Sequence, residues 1–179
     1  MTLRRLLLTA AALMLPSWAQ AQDNTEAVAL GEYLVTTSGC HDCHTPFIMG
    51  PNGPEPDMTR SLSGHPQDIV IDAPAQLPEP WIGAMNATNT AWSGPWGVSF
   101  AANLTPDPET GIWREMTEEQ FIEALRTGRH LGHGRPILPP MPWPVYGKKT
   151  DDDLKAIYAY LQTIPPVKNK VADPLPPAQ

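Results

Sequence analysis

The sequence predicts an all-α fold: few short helices joined by long proline-rich loops, organised by something other than their own regular structure. Three observations lead there. Apolar residues recur at helical spacing in three capped segments, with little sustained periodicity between them. Proline supplies 22 of 179 residues, about 12% against an average of about 5%, which forbids long regular structure through the middle of the chain. Both cysteines sit in one stretch, GCHDCHTP from Gly39 to Pro46, immediately after the first helical segment.

The first segment, Ala27 to Thr37, presents Val28, Leu30, Leu34 and Val35 as an apolar face, with Asn24 or Thr25 to cap its start and Gly39 to end it. The second opens on Thr117-Glu118-Glu119-Gln120, the form of a capping box, buries Phe121, Ile122, Ala124 and Leu125, and stops at Gly128. The third follows Thr150. Three aspartates favour the positive end of its dipole, and Leu154, Ile157, Tyr158 and Leu161 recur at i, i+3, i+4 and i+7 until Pro165-Pro166.

Residues 1–21 read as a secretory signal peptide: Arg4 and Arg5, an apolar run from Leu6 to Leu15, and a small-residue cleavage pattern at Ala19-Gln20-Ala21. The run falls well short of the roughly 20 residues of a membrane-spanning helix. The mature chain is therefore expected in the periplasm with no membrane span after signal removal, as one domain over 22–170 followed by a disordered tail at 171–179. Losing the two signal arginines takes the formal charge from −7 to −9, an acidity that disfavours nucleic acid and anionic lipid and steers cationic protein partners. Thr45 to Glu115 holds 11 prolines and turn signals such as Gly50-Pro51-Asn52-Gly53-Pro54. Within it, residues 46–100 read as an extended loop insertion, long enough to require a function or a ligand.

Cys40-His41-Asp42-Cys43-His44 matches C-x-x-C-H, the attachment signature of c-type haem. Two thiols three residues apart on one helical turn can each add to a vinyl group of the same porphyrin edge, which places the next imidazole beneath the iron. One covalently attached haem c is the expected cofactor, with Cys40 and Cys43 as thioether residues and His44 as an iron ligand. Three other readings stand beside this one. A Cys40–Cys43 disulfide would close a tiny loop and add little stability. A thioredoxin-like pair would want a βαβ context. A zinc site could draw on His130 and His133, at a tighter spacing and far greater separation than zinc-finger ligands show.

For the second axial position Met141 is the foremost candidate, because Pro139-Pro140-Met141-Pro142-Trp143 stiffens the backbone on both sides. Met49, Met58, Met85 and Met116 read as apolar filler; His65, His130 and His133 remain alternative ligands. His41 and Asp42 read as surface residues. Trp81, Trp92, Trp96, Trp113 and Trp143 read as core and haem packing.

The chain resembles class I c-type cytochromes, in particular the cytochrome subunit domains of bacterial membrane-bound alcohol and gluconate dehydrogenases. The resemblance covers roughly Ala27 to Val167. It rests on Gly31-Glu32-Tyr33-Leu34 before the C-x-x-C-H stretch, Asn103-Leu104-Thr105-Pro106-Asp107 with Thr110-Gly111-Ile112, Pro140-Met141-Pro142-Trp143, and Asp153 to Leu161. It implies a cytochrome c-like fold, His44 and Met141 as the two axial ligands, and a helix crossing at Gly31 where Tyr158 or Leu161 approaches. It also implies Leu104 and Ile112 at the haem edge. An iron so capped has no open position, so the expected function is outer-sphere electron carriage, not catalysis. The partners would be redox proteins: a dehydrogenase or quinol-oxidising complex on one side, a terminal oxidase or reductase on the other. The alternative is an open-site haem enzyme or gas- or anion-binding haem protein, with Arg129, His130, His133 or Arg135 in a distal pocket.

Overall fold

A computed structural model of the chain describes residues 17–177. Most of the predicted signal peptide, 1–16, lies outside the described residues. Five α-helices are present among them: α1 (Ser17–Thr37), α2 (Cys40–His44), α3 (Glu118–Thr127), α4 (Trp143–Tyr146) and α5 (Asp151–Leu161). No helix among the described residues is long and apolar enough to cross a membrane.

The all-α expectation is wrong. Two antiparallel sheets occupy the 46–100 segment, so the fold among the described residues is mixed α and β. Strands β1 (Phe47–Gly50) and β2 (Gly53–Pro56) form one hairpin, with Phe47 opposite Pro56. Strands β3 (Ala84–Met85), β4 (Ala91–Gly94) and β5 (Gly97–Phe100) form a three-stranded sheet in that order. Strands of two to four residues are too short to display an alternating pattern, so periodicity missed them. Their turns were visible: Gly50-Pro51-Asn52-Gly53 and Gly94-Pro95-Trp96-Gly97 share a Gly-Pro-x-Gly form, and each closes a two-residue hairpin loop with its glycines in register.

The three expected helices are all present, α1 beginning ten residues earlier than its periodicity indicated. Both halves of the Thr117 capping box form: the Gln120 N–H donates to Thr117 Oγ (3.3 Å) and the Thr117 N–H to Gln120 Oε1 (3.0 Å). Gly128 ends α3 in the left-handed region at φ 69°. Thr150 and Asp153 make a second capping box at α5, so Asp153 does more than complement the dipole. Val35 of α1, Met116, Phe121, Ala124 and Leu125 at α3, Leu154, Ile157 and Leu161 of α5, and Leu62 of the long loop form the buried core. Helices α1 and α5 cross at Gly31, as the resemblance implied, but what approaches it is the Ala156 backbone and the Tyr160 Cβ rather than Tyr158 or Leu161.

The long proline-rich region is organised by two buried side-chain amides. Asn103 Nδ2 donates to the Val167 carbonyl (2.9 Å), while its Oδ1 accepts from the N–H and hydroxyl of Thr105 (3.0 and 2.7 Å). Asn169 Nδ2 donates to the carbonyls of Ser63 and His65 (2.7 and 2.8 Å), and its Oδ1 accepts from the Gln67 N–H (2.9 Å). These bonds satisfy backbone groups that have no helix or sheet partner, which is the condition for burying a loop. The stretch expected to be a disordered tail is held at Leu175, which exchanges both backbone hydrogen bonds with Val98 of β5 at 3.0 Å.

His65 lies inside this network, 1% exposed. Its Nε2–H donates to the Ile69 carbonyl (2.9 Å), and Nδ1 meets Thr90 Oγ (2.9 Å). Burial pushes its pKa below the ordinary 6.5, against the opposing effects of that hydrogen bond and of Asp68. The unfolded chain therefore takes up a proton at higher pH than the folded one. Stability from this group is full above about pH 6.5 and is lost as pH falls through the lower folded value. Denaturant midpoints measured from about pH 7.5 to about pH 5.5 should fall, and His65→Gln should show a shallower fall.

Candidate functional site

Gly39 adopts φ 70° and ψ 28°, a left-handed residue that with Ser38 makes the turn between α1 and α2. That turn puts Cys40 and Cys43 one helical turn apart, both as free, partly buried thiols. Burial dominates both acidities. It pushes the Cys40 thiol up to about 11, with Lys149 pulling the other way, and raises Cys43 with help from Asp42. Both stay protonated near neutrality, so neither is the activated thiolate that a thioredoxin-like pair needs.

His44 ends the same helix, and its Nδ1 lies 2.8 Å from the Ala102 carbonyl. A carbonyl oxygen accepts only, so Nδ1 carries the proton and Nε2 keeps its lone pair. Burial also holds His44 below its ordinary pKa, so the ring is neutral at pH 7. A fixed tautomer with a free Nε2 is what an imidazole iron ligand requires. The Gly64 N–H donates to the His44 carbonyl (2.8 Å) and the Leu104 N–H to that of Leu62 (2.8 Å), stitching α2 to the loop that supplies Ala102.

Met141 lies in the loop before α4, partly buried against the core cluster that Cys40, Leu104, Ile112, Leu131, Ile137, Trp143 and Tyr146 also flank. A cleft of about 390 Å³ opens between Ser38, two residues before Cys40, and Pro142, directly after Met141; Val145, Tyr146 and Lys149 complete its lining. Tyr146 spans the site, its hydroxyl donating to the Ser38 carbonyl (2.6 Å). Burial pushes the Tyr146 phenol up to about 12, which keeps that proton in place.

Neither Ala102 nor Tyr146 was legible in the sequence. Each acts through a partner 58 or 108 positions away, and nothing local marks either. Four further expectations change. His41 is partly buried and bonds Thr45 Oγ through Nδ1 (3.0 Å), whereas Asp42 is exposed as expected. Met116 is core at 7% exposure, but Met49, Met58 and Met85 are 79%, 61% and 68% exposed and fill nothing. Trp113 and Trp143 pack on the core, while Trp81 is exposed and Trp92 and Trp96 line a second cleft beside Pro140. His65 has both ring nitrogens engaged by protein groups, which removes it as an alternative iron ligand.

The residues invoked for an open distal pocket share one loop, in which the His130 N–H donates to the Arg135 carbonyl (2.9 Å). Arg129 and Arg135 donate to the nearby carbonyls of Gly134 and Pro136, and His133 is exposed. Among the described residues no three His, Cys, Asp or Glu side chains gather as a metal-binding group, so the zinc alternative has no assembled ligand set.

No family model matches the chain. Individual relatives do. The cytochrome c subunit of a quinone-dependent alcohol dehydrogenase from Gluconobacter oxydans is 32% identical over 159 residues, 87% of this chain and 26% of that subunit. A fructose dehydrogenase cytochrome subunit from Gluconobacter japonicus is 36% identical over 143 residues, 80% of this chain and 22% of that one. A gluconate 2-dehydrogenase cytochrome c subunit from Pantoea cypripedii is 29% identical over 142 residues, 79% of this chain and 24% of that one. This chain is a homologue of dehydrogenase cytochrome c subunits. The resemblance read from the four sequence segments thus holds, and haem and electron transfer are the chemistry of the group. This cytochrome c homologue spans about a quarter of the length of the relatives it matches. Its donor set suits a haem: two neutral thiols on one turn, an imidazole with a free Nε2, and a thioether beside an apolar core.

Proposed function

We propose that this chain is a periplasmic c-type cytochrome with one covalently attached haem, carrying single electrons from a dehydrogenase or quinol-oxidising complex to a terminal oxidase or reductase. The observation that carries the reading is the His44 Nδ1–H bond to Ala102, which prepares Nε2 as a ligand directly beside the two thiols. In this reading Cys40 and Cys43 would tether the porphyrin, His44 and Met141 would ligate the iron, and residues 22–170 would form the haem domain. The haem supplies the one-electron couple; the protein sets its potential and access.

The surrounding groups divide the remaining work. Ala102 fixes the His44 tautomer and makes the imidazole a better donor. Leu104, Ile112, Leu131 and Ile137, packed against the core, would keep water from the haem, which would disfavour the more highly charged ferric state and raise the potential. Tyr146 ties α4 to the turn before Cys40 and so holds the two walls of the cleft together. With His44 and Met141 both ligating it, the iron would offer no place to a substrate, as a carrier requires.

The test is the absorption spectrum of protein exported from a host that matures c-type haem, taken as the alkaline pyridine complex. Two saturated thioethers shift the reduced α-band away from that of free haem; an unshifted band or a colourless protein would defeat the reading. In Cys40→Ala/Cys43→Ala, acidified organic solvent should extract essentially all of the haem, whereas the unsubstituted protein should retain it. Extraction from both would remove the covalent attachment.

A further inference from the structure

The axial-ligand reading leaves the Met141 loop with an unusual difficulty. Pro139, Pro140 and Pro142 have no N–H, so the loop cannot anchor itself by donating backbone hydrogen bonds there. Its flanks are secured at the Ile137 N–H, which donates to Gly128 (2.8 Å), and at Pro142, whose carbonyl accepts from Val145 (2.9 Å) at the start of α4. Between Leu138 and Met141 one hydrogen bond joins the loop to the rest of the described residues. Ser99 Oγ donates to the Pro139 carbonyl at 2.5 Å.

Ser99 is well placed for this. It is 7% exposed on β5, a strand that pairs with β4 on one side and with Leu175, through Val98, on the other. A hydroxyl on a doubly paired strand is held by backbone that does not fray, so it can fix a carbonyl two residues from a ligand atom. Its other acceptor, the Trp92 carbonyl, lies at 3.4 Å, within the same hairpin.

We propose that Ser99 is a positioning residue for Met141, and that the β4–β5 hairpin within the 46–100 segment is a brace that holds the ligand loop. The proposal rests on Met141 being the axial ligand. It also explains what the insertion is for. A loop held in this way would not need the Fe–S bond to supply its ordering free energy.

The experiment is a titration of the ferric haem protein with imidazole, which displaces the methionine and abolishes the weak near-infrared sulfur-to-iron charge-transfer band. One net hydrogen bond corresponds to about a 2- to 10-fold change in an equilibrium constant. Ser99→Ala should therefore bind imidazole about 2- to 10-fold more tightly than the parent. Ser93→Ala is the structural control: it removes a hairpin hydroxyl that accepts from the Ala75 N–H (2.8 Å), and it should titrate as the parent does. Comparing Ser99→Thr with Ser99→Val holds side-chain shape constant and changes the hydroxyl, so it decides the matter even if Ser99→Ala folds poorly. The threonine variant should bind imidazole the more weakly. Parent-like affinity in Ser99→Ala, equal affinities in the Thr and Val variants, or an equal effect in Ser93→Ala would overturn the brace. Persistence of the near-infrared band in Met141→Ala would instead overturn the ligand assignment beneath it.

Discussion

Met141→Ala is expected to lose the near-infrared charge-transfer band, lower the midpoint potential by more than about 59 mV, and bind carbon monoxide when reduced. The potential follows from ligand chemistry. A neutral thioether stabilises ferrous over ferric iron, and one decade in that preference is about 59 mV for a one-electron couple. Carbon monoxide binding follows because alanine leaves the position open. Met58→Ala and Met85→Ala are the controls, since both side chains are mostly solvent-exposed and neither lies in the loop beside the core. A potential unchanged in Met141→Ala but shifted in either control would move the ligand to another residue.

Gly31→Ala should destabilise the fold by about 2–3 kcal/mol, although helix propensity alone favours alanine by up to about 1 kcal/mol. The structure decides the sign. A Cβ at Gly31 would lie 2.6 Å from the Ala156 carbonyl carbon and 2.7 Å from the Tyr160 Cβ. Backbone and a Cβ cannot rotate away as a flexible side-chain end can, so α1 and α5 must separate, loosening Val35 from Leu154 and Ile157 in the core. For a chain of this size that loss lowers the melting temperature by roughly 5–10 °C. Calorimetry of the haem protein checks it: a melting temperature equal to or above the parent's would show that α1 and α5 tolerate a wider crossing.

Both effects start from residues that sequence alone singled out, and each needed the fold for its direction or its partner. Met141 was marked by the prolines around it; the hydroxyl that holds its loop lies 40 positions away on a strand too short to announce itself. Gly31 was marked by resemblance, yet the partner expected there was a side chain, and the one found is mainly the α5 backbone. The hairpins were missed because four-residue strands carry too few residues for alternation to stand out, although the repeated Gly-Pro-x-Gly form was in plain sight.

What the sequence determined by itself is local chemistry: the C-x-x-C-H stretch, the cap at Thr117, the acidic start of α5, the apolar stripes of α3 and α5, and the stop at Gly128. These depend on spacings of three or four residues, which one helical turn translates directly into geometry. Tertiary structure decided how the proline-rich half of the chain is held. Asn103, Asn169, Tyr146 and Ser99 each bind backbone between 40 and 108 residues distant. A hydrogen bond across such a separation depends on how the whole chain closes, and no local pattern encodes it.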